Sequence, residues 1–366
     1  MIHVTRPSLP PLSELIPLLE KLWDSRILSN GGEFHIELER RLSDYLGLEH
    51  VSLFCNATIA LMVAQQALEV KGEVITTPYS FAATAHSIKW AGNVPVFCDI
   101  ERKTLGLDPK EVQEAITEKT SALLPLHCYG NNCDVEALSR IAQKHGLSMI
   151  YDACHSFGVT DSGGSTLRYG DMSVVSFHAT KVFNTFEGGL LVCSSAEQKQ
   201  RVDRLKNFGF VSETEVIDVG INGKMSEFNA ALGLLQLEHL DEKLADRCRI
   251  DEHYRSLLSN IEGVTMLTFE NLEKRNFAYF PIFVDSTFPV SRDELYEWLK
   301  SHGIHPRRYF YPIIPEYAAY KEHNDKDLRP LPVAELVAQQ VLCLPMFPGL
   351  GEHQVRTIVD LIKSVR

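Results

Sequence analysis

Val51-Ser52-Leu53-Phe54-Cys55-Asn56-Ala57-Thr58 opens the stretch that decides the fold. Val51 to Phe54 is a short apolar run that fits a buried strand. Asn56-Ala57-Thr58 makes a small, polar turn, and Thr58 to Leu68 is then apolar at helical spacing. A strand turning directly into a helix is the repeating unit of an α/β protein. The turn also exposes unpaired backbone N–H groups and the positive end of the helix dipole, where phosphate binds readily. Simple capping of the helix by Asn56 or Thr58 is the alternative reading.

The unit repeats along the chain. Strand patterns occur at Glu73–Thr76, Val94–Asp99, Ala122–Leu126, Ser148–Asp152, Ser173–Phe177 and Gly189–Cys193. Helical patterns lie at Glu33–Leu46, Ala82–Ala91, Pro109–Ile116 and Val135–His145. The alternation predicts a largely parallel sheet covered by helices on both faces. One long helix is expected from Met225 to about Leu258. Beyond it, strands at Ala278–Val284, Ile304–Tyr311 and Val341–Leu344 alternate with helices at Arg292–His302 and Glu352–Lys363. That is a smaller α+β unit. The division falls inside the long helix, giving a large domain over 1–245 and a small one over 246–366. No linker or repeat separates them, so the two are expected to share an interface.

Composition narrows the function. The chain has 366 residues, 45% hydrophobic and 23% charged, enough apolar surface to exclude disorder. No apolar stretch approaches the roughly 18 residues of a spanning helix, so no membrane is expected as partner. Lys and Arg number 36 against 48 Asp and Glu, a net charge of −12, which argues against nucleic acid. The eight cysteines are scattered and none has zinc-knuckle spacing, so they read as free thiols in a reducing compartment, with no metal. Met1 to Pro7 lacks a basic segment followed by an apolar core, and the cytoplasm is expected.

Ligands of open α/β sheets bind beyond the carboxyl ends of the strands. Asp152 ends one strand, and His155 follows three residues later. Another strand ends at Ser176-Phe177, and His178-Ala179-Thr180-Lys181 follows, then Glu187-Gly188-Gly189. Gly220-Ile221-Asn222-Gly223-Lys224-Met225 leads into the long helix. Each has a plain structural reading alone: a cap, a core histidine, a solvated lysine. Their order changes that. A phosphate cup, a carboxylate and then a lysine are what pyridoxal phosphate needs: an anion site, a partner for the ring nitrogen and a Schiff-base amine.

On these motifs the chain resembles the DegT/DnrJ group of sugar-nucleotide aminotransferases. These are fold type I pyridoxal phosphate enzymes, aspartate aminotransferase-like, with a large mixed, mostly parallel sheet domain and a small C-terminal α+β domain. The resemblance runs from Leu28-Ser29-Asn30-Gly31 to Leu342-Cys343-Leu344-Pro345 and Phe347-Pro348-Gly349-Leu350. Its most specific runs are Ser176 to Lys181 with Glu187-Gly188-Gly189, and Asp152 to Gly158.

The resemblance implies roles. Lys181 matches the Schiff-base lysine that later moves the proton, and Asp152 the partner of the pyridine nitrogen. His155 takes a place beside the cofactor's phenolic oxygen, and Phe81 matches an aromatic stacked on the ring. Ala57, Thr58 and Ser176 match phosphate contacts. Asn222 matches a residue reaching the phosphate from a neighbouring subunit, which implies a homodimer with shared active sites. Asn30, Lys224 and Tyr311 are the expected substrate residues, with Arg6, Arg307 and Arg308 as further candidates. Two departures stand out. Asn56-Ala57-Thr58 replaces the usual Ser-Gly-Thr, and Asn222-Gly223-Lys224-Met225 replaces Asn-Tyr-Arg-Met, leaving Lys224 as a point charge without a bidentate fork.

The wording from His178 to Gly189 is similar to the branch that aminates C4 of dTDP-4-keto-6-deoxyglucose with L-glutamate as donor. The expected partners are therefore a nucleotide-linked keto sugar and L-glutamate, with the product feeding O-antigen or antibiotic glycosides. A C3 aminotransferase or a cofactor-dependent sugar dehydratase of the same fold is the alternative. Dehydratases carry His where this chain has Lys181. A non-enzymatic regulator is disfavoured by the acidic balance and by the lack of an added DNA-binding segment.

Overall fold

The computed structural model describes residues 1–324 and 329–365. Seven strands form the main sheet: β1 Val51–Phe54, β2 Glu73–Thr76, β3 Val94–Phe97, β4 Thr120–Leu124, β5 Ser148–Asp152, β6 Met172–Ser176 and β7 Gly189–Cys193. Side by side they run β1-β7-β6-β5-β4-β2-β3. β7 is antiparallel to both of its neighbours, and every other pairing is parallel. The sheet is mostly parallel, as the alternation of elements predicts, and mixed through β7, as the resemblance implies.

Side chains alternate across each strand, and both faces are covered. On one face Val174 and Leu191 pack with Ala60, Leu61 and Ala64 of the helix Ala57–Ala67. On the other, Val175 and Leu190 pack with Leu38 and Leu42 of the helix Glu33–Leu46 and with Phe177. Burying each such valine, leucine or phenylalanine side chain contributes about 1.5–3 kcal/mol.

The small domain holds a three-stranded antiparallel sheet, β8 Val264–Met266, β9 Phe280–Val284 and β10 Val341–Leu344, with β9 in the middle. One face packs on the helices Leu240–Leu258, Arg292–Ser301 and Glu352–Ser364 through Ile250, Leu295 and Ile358. The other face, with Phe283, Val341 and Cys343, shares a core with Tyr79, Leu126 and Tyr129 of the large domain. Asp99, just past β3, adds a polar tie. Its carboxylate accepts the Val333 and Ala334 amides, each at 2.8 Å, at the start of the helix Pro332–Gln340.

Three expectations are corrected. The helix expected over Met225 to Leu258 is two, Glu227–Glu238 and Leu240–Leu258. They part at His239, whose φ and ψ are −95° and 7° and whose ring Nε2 lies 2.6 Å from the Glu14 carboxylate. The strand expected over Ile304–Tyr311 is only Ile304–His305. Pro306 and Pro312 carry no N–H to continue a ladder. Finally, Ile2–His3 pairs in parallel with Ile304–His305, so the first residues of the chain lie on the small domain, although the division at 245 assigns them to the large one. Along the helix Leu240–Leu258, Leu240 and Leu244 pack with the large-domain cluster, and Ile250, Tyr254 and Leu258 with the small one. Among the described residues, no helix is long and apolar enough to cross a membrane.

Candidate active site

The topology gathers the motifs at one edge of the sheet. β1, β5 and β6 end there, and antiparallel β7 begins there, with Gly189 in register with both Phe54 and Ser176. A side-chain carbon on Gly189 would stand 2.8 Å from the Ala57 nitrogen. Glycine at this position lets the turn after β1 press against β7.

That turn is both a cap and a cup. Asn56 Oδ1 accepts the Ile59 amide at 2.9 Å, and the Asn56 carbonyl accepts the Ala60 amide at 3.3 Å. The amides of Ala57 and Thr58, the first two helical residues, are left without an acceptor among the described residues. They are the orphan donors of a helix start and suit an anion. The Ser176 hydroxyl lies at the end of β6 and accepts the His178 amide at 3.3 Å.

Asp152 is buried at 4% exposure. Its Oδ1 accepts the Cys154 amide at 3.1 Å, and its Oδ2 accepts the Thr84 hydroxyl at 2.7 Å. Each carboxylate oxygen keeps a second lone pair for a protonated ring nitrogen. Thr84 sits on the helix Ala82–Trp90, and its hydroxyl also meets Ser80 Oγ at 2.6 Å. Phe81 caps the same helix and is 63% exposed, leaving its ring face free.

His155 is buried beside this carboxylate turn. Burial drives its pKa well below the ordinary imidazole value, and the Lys181 charge adds to the effect. The ring is therefore neutral. Its Nδ1 accepts the Tyr129 amide at 3.2 Å, which assigns the proton to Nε2 and makes that atom a donor.

Lys181 follows a tight turn, its amide donating to the His178 carbonyl at 2.9 Å. Its Nζ donates to Tyr279 Oη at 3.1 Å. Burial pulls the ammonium pKa down, but Tyr279, Cys154 and Asp152 outweigh it and the net direction is up. Tyr279 belongs to a ring cluster that includes Tyr129 and Tyr309. The hydroxyls of Tyr79 and Tyr129 both donate to the Tyr309 carbonyl, the first at 2.9 Å.

A cavity of about 370 Å³ adjoins the lysine turn, lined by His3, Thr180, His305, Arg307 and Tyr309 among others. Among the described residues, no acidic side chain lines it. Arg307 makes no ion pair among the described residues, whereas Arg308 pairs with Asp293 at 2.7 Å. Imidazoles, a free guanidinium and hydroxyls suit an anionic ligand.

The three expected substrate residues do not gather around Lys181 within one chain. Asn30 and Lys224 line a second cavity of about 510 Å³ with Glu39, Lys199, Asp203 and Lys206. There Lys199 and Lys206 are tied to Asp203 at 2.7 and 2.8 Å. Lys224 is half-buried over the Phe208 ring, and burial, then Lys206, lowers its pKa. Tyr311 instead packs under two guanidinium groups, Arg292 at 4.6 Å and Arg308 at 5.3 Å. Asn222 is exposed, and its neighbour Gly223 accepts the Cys55 amide at 2.7 Å, so it lies beside the turn after β1.

Sequence reasoning missed Thr84, Tyr129, Tyr279 and Tyr309. Thr84 left a faint signal, a hydroxyl three residues after Phe81 on a helix of small residues. The tyrosines left none, since only tertiary folding brings them to Lys181.

The donor set fits pyridoxal phosphate. Orphan amides suit an anion, a buried carboxylate suits a ring N–H, an exposed aromatic face suits a flat ring, and the Lys181 amine lies near enough to Asp152 to feel its charge.

Residues 13–363 match the DegT/DnrJ/EryC1/StrS aminotransferase family. The chain is 53% identical over 365 residues to a dTDP-4-amino-4,6-dideoxy-D-glucose transaminase of Shigella dysenteriae, covering 100% of this chain and 99% of the relative. It is 48% identical over 364 residues to an enzyme of the same name from Escherichia coli, covering 99% and 98%. Among solved structures, DesI crystallised in the presence of its TDP-sugar product superposes with a TM-score of 0.94 at 36% identity, covering 99% of this chain and 92% of that one.

Proposed function

The chain belongs to the DegT/DnrJ/EryC1/StrS aminotransferase family, and from that membership we propose that it transfers the amino group of L-glutamate to C4 of dTDP-4-keto-6-deoxy-D-glucose. The product is dTDP-4-amino-4,6-dideoxy-D-glucose. The observation that carries the reading is the meeting of Lys181, Asp152 and the orphan amides of Ala57 and Thr58 at one sheet edge, in a chain alike over its full length to transaminases of that product.

Pyridoxal 5'-phosphate, when bound, supplies an electron sink for the carbon that gains or loses the amino group. The protein supplies the rest. The Ala57 and Thr58 amides and the Ser176 hydroxyl would hold its phosphate, with Asn222 offered to the same site in a second copy. Asp152 would keep a proton on the ring nitrogen, with Thr84 keeping Asp152 aimed. The Nε2–H of His155 would donate to the phenolic oxygen, and Phe81 would cover one ring face. Lys181 would hold the cofactor through its amine and move a proton at the reacting carbon. The carboxylate-free cavity beside Thr180 takes an anionic part of a substrate.

We place the enzyme in the cytoplasm as a homodimer. Phe208, Phe210, Val216, Ile217 and Val219 form an exposed apolar run leading to Asn222, suited to burial against a second copy. Sedimentation should give twice the chain mass.

The test offers the purified protein nucleotide-linked 3-keto and 4-keto sugars with glutamate or aspartate, and reads the product by NMR. The expected product carries nitrogen at C4 of the dTDP sugar with glutamate as donor. Amination at C3, or release of ammonia with a deoxygenated sugar, overturns the reading.

A further inference from the structure

Lys181 bonds to a residue far away in sequence. Tyr279 stands just before β9, in the small domain, and its hydroxyl accepts the Lys181 amine at 3.1 Å. Three rings hold the phenol from other sides: His155 at 4.8 Å, Tyr129 at 5.4 Å and Tyr309 at 6.0 Å between centroids. These contacts fix the ring and leave the oxygen to the lysine.

We propose that Tyr279 is a positioning residue that receives the Lys181 amine whenever the cofactor has released it, and holds it ready to move a proton. The proposal rests on reading Lys181 as the cofactor lysine. A lysine stem has four carbons and many rotamers, so a released amine is poorly placed unless something fixes it. A phenol suits both forms of that amine. It accepts from the ammonium and donates to the neutral amine. A carboxylate in its place would favour only the ammonium. Because Tyr279 arrives from the small domain and touches both Lys181 and His155, the lysine is aimed only when the two domains are docked.

Tyr279→Phe removes one oxygen and keeps the ring that His155, Tyr129 and Tyr309 pack against. Each half-reaction is followed by rapid mixing, first with glutamate and then with keto sugar. At saturation the rate should fall about tenfold in both, the cost of one hydrogen bond to a charged group, while the KM for glutamate stays within about twofold. A contact needed only for folding would not move the pH dependence. Here the acid limb of the keto-sugar half-reaction should shift to lower pH, because Lys181 loses a neighbour that raises its pKa.

Competitive labelling of Lys181 by an amine reagent in the cofactor-free chain reads the same shift without turnover. Half-labelling should occur at lower pH in Tyr279→Phe than in the unaltered chain, whether or not the variant loads cofactor well. Equal labelling pH and equal half-reaction rates overturn the proposal. If the unaltered chain moves no nitrogen at all, the transaminase reading has failed. If it does and Tyr279→Phe matches it, only the role of Tyr279 has failed.

Discussion

The two walls of the site are held by different forces. On the large-domain wall, polar bonds aim each group from a strand end or a helix start. Asp152 is fixed by the Thr84 hydroxyl and the Cys154 amide, and His155 by the Tyr129 amide. On the small-domain wall, the rings of Tyr279 and Tyr309 are held by packing, and Arg307, which makes no ion pair among the described residues, lines an anion-friendly cavity. The contrast separates two tasks. Groups that hold charge at the reacting centre need short, directional bonds in a dry site. Groups that fit a substrate need shape and a free charge.

Substitutions on the two walls should therefore differ in kind as well as in size. Lys181→Ala is the largest, lowering amino transfer at least about 10³-fold while the thermal midpoint barely moves. Asp152→Asn should cost about 10²-fold in kcat, read by steady-state assay with cofactor loading followed by absorbance. Thr84→Val leaves the carboxylate but not its anchor, and should lower kcat about tenfold. Across the site, Arg307→Ala should raise the KM for the nucleotide sugar about fivefold with kcat within about twofold, a loss of binding alone. A Thr84→Val that changes only KM, or an Arg307→Ala that changes only kcat, breaks the division between the walls.

The smallest effect is on stability. Burial holds the His127 pKa down at about 3 and that of His155 well below the usual value. Both stay neutral in the folded chain as pH falls, whereas the unfolded chain protonates them near pH 6.5. The unfolded state then binds more protons, so stability is full above 6.5 and is lost as pH drops below it. His127 should account for about 1.2 kcal/mol between pH 7 and pH 5.5, and His155 should act in the same direction. His127→Phe keeps the ring stacked on Tyr151 at 4.6 Å, and urea midpoints should show a shallower pH dependence for it.

The same contrast governs what the sequence reveals. β1, β2, β5, β7 and β10 lie where their apolar runs place them, because a strand buried on both faces writes itself as a continuous run. Asp152, His155, Ser176 and Lys181 could be singled out for a related reason: each lies at or just past a strand end, and strand ends line the ligand crevice. The break at His239 was not legible, since leucine, alanine and glutamate favour helix on either side of it. Tyr279 and Tyr309 were hidden too. Each is 98 or more residues beyond Lys181, and ring packing leaves no local spacing. Asn30 and Lys224 were named with Tyr311 as separate substrate candidates, and they share a cavity that is a different one from the cavity beside Thr180.

The central claim is that Lys181 is the residue that carries the cofactor at this sheet edge. Borohydride reduction of the pyridoxal phosphate-loaded protein, followed by peptide mapping, tests it most directly. The added mass should lie on Lys181 and be absent from Lys181→Ala. The same mass on another lysine, or on none, would contradict the account.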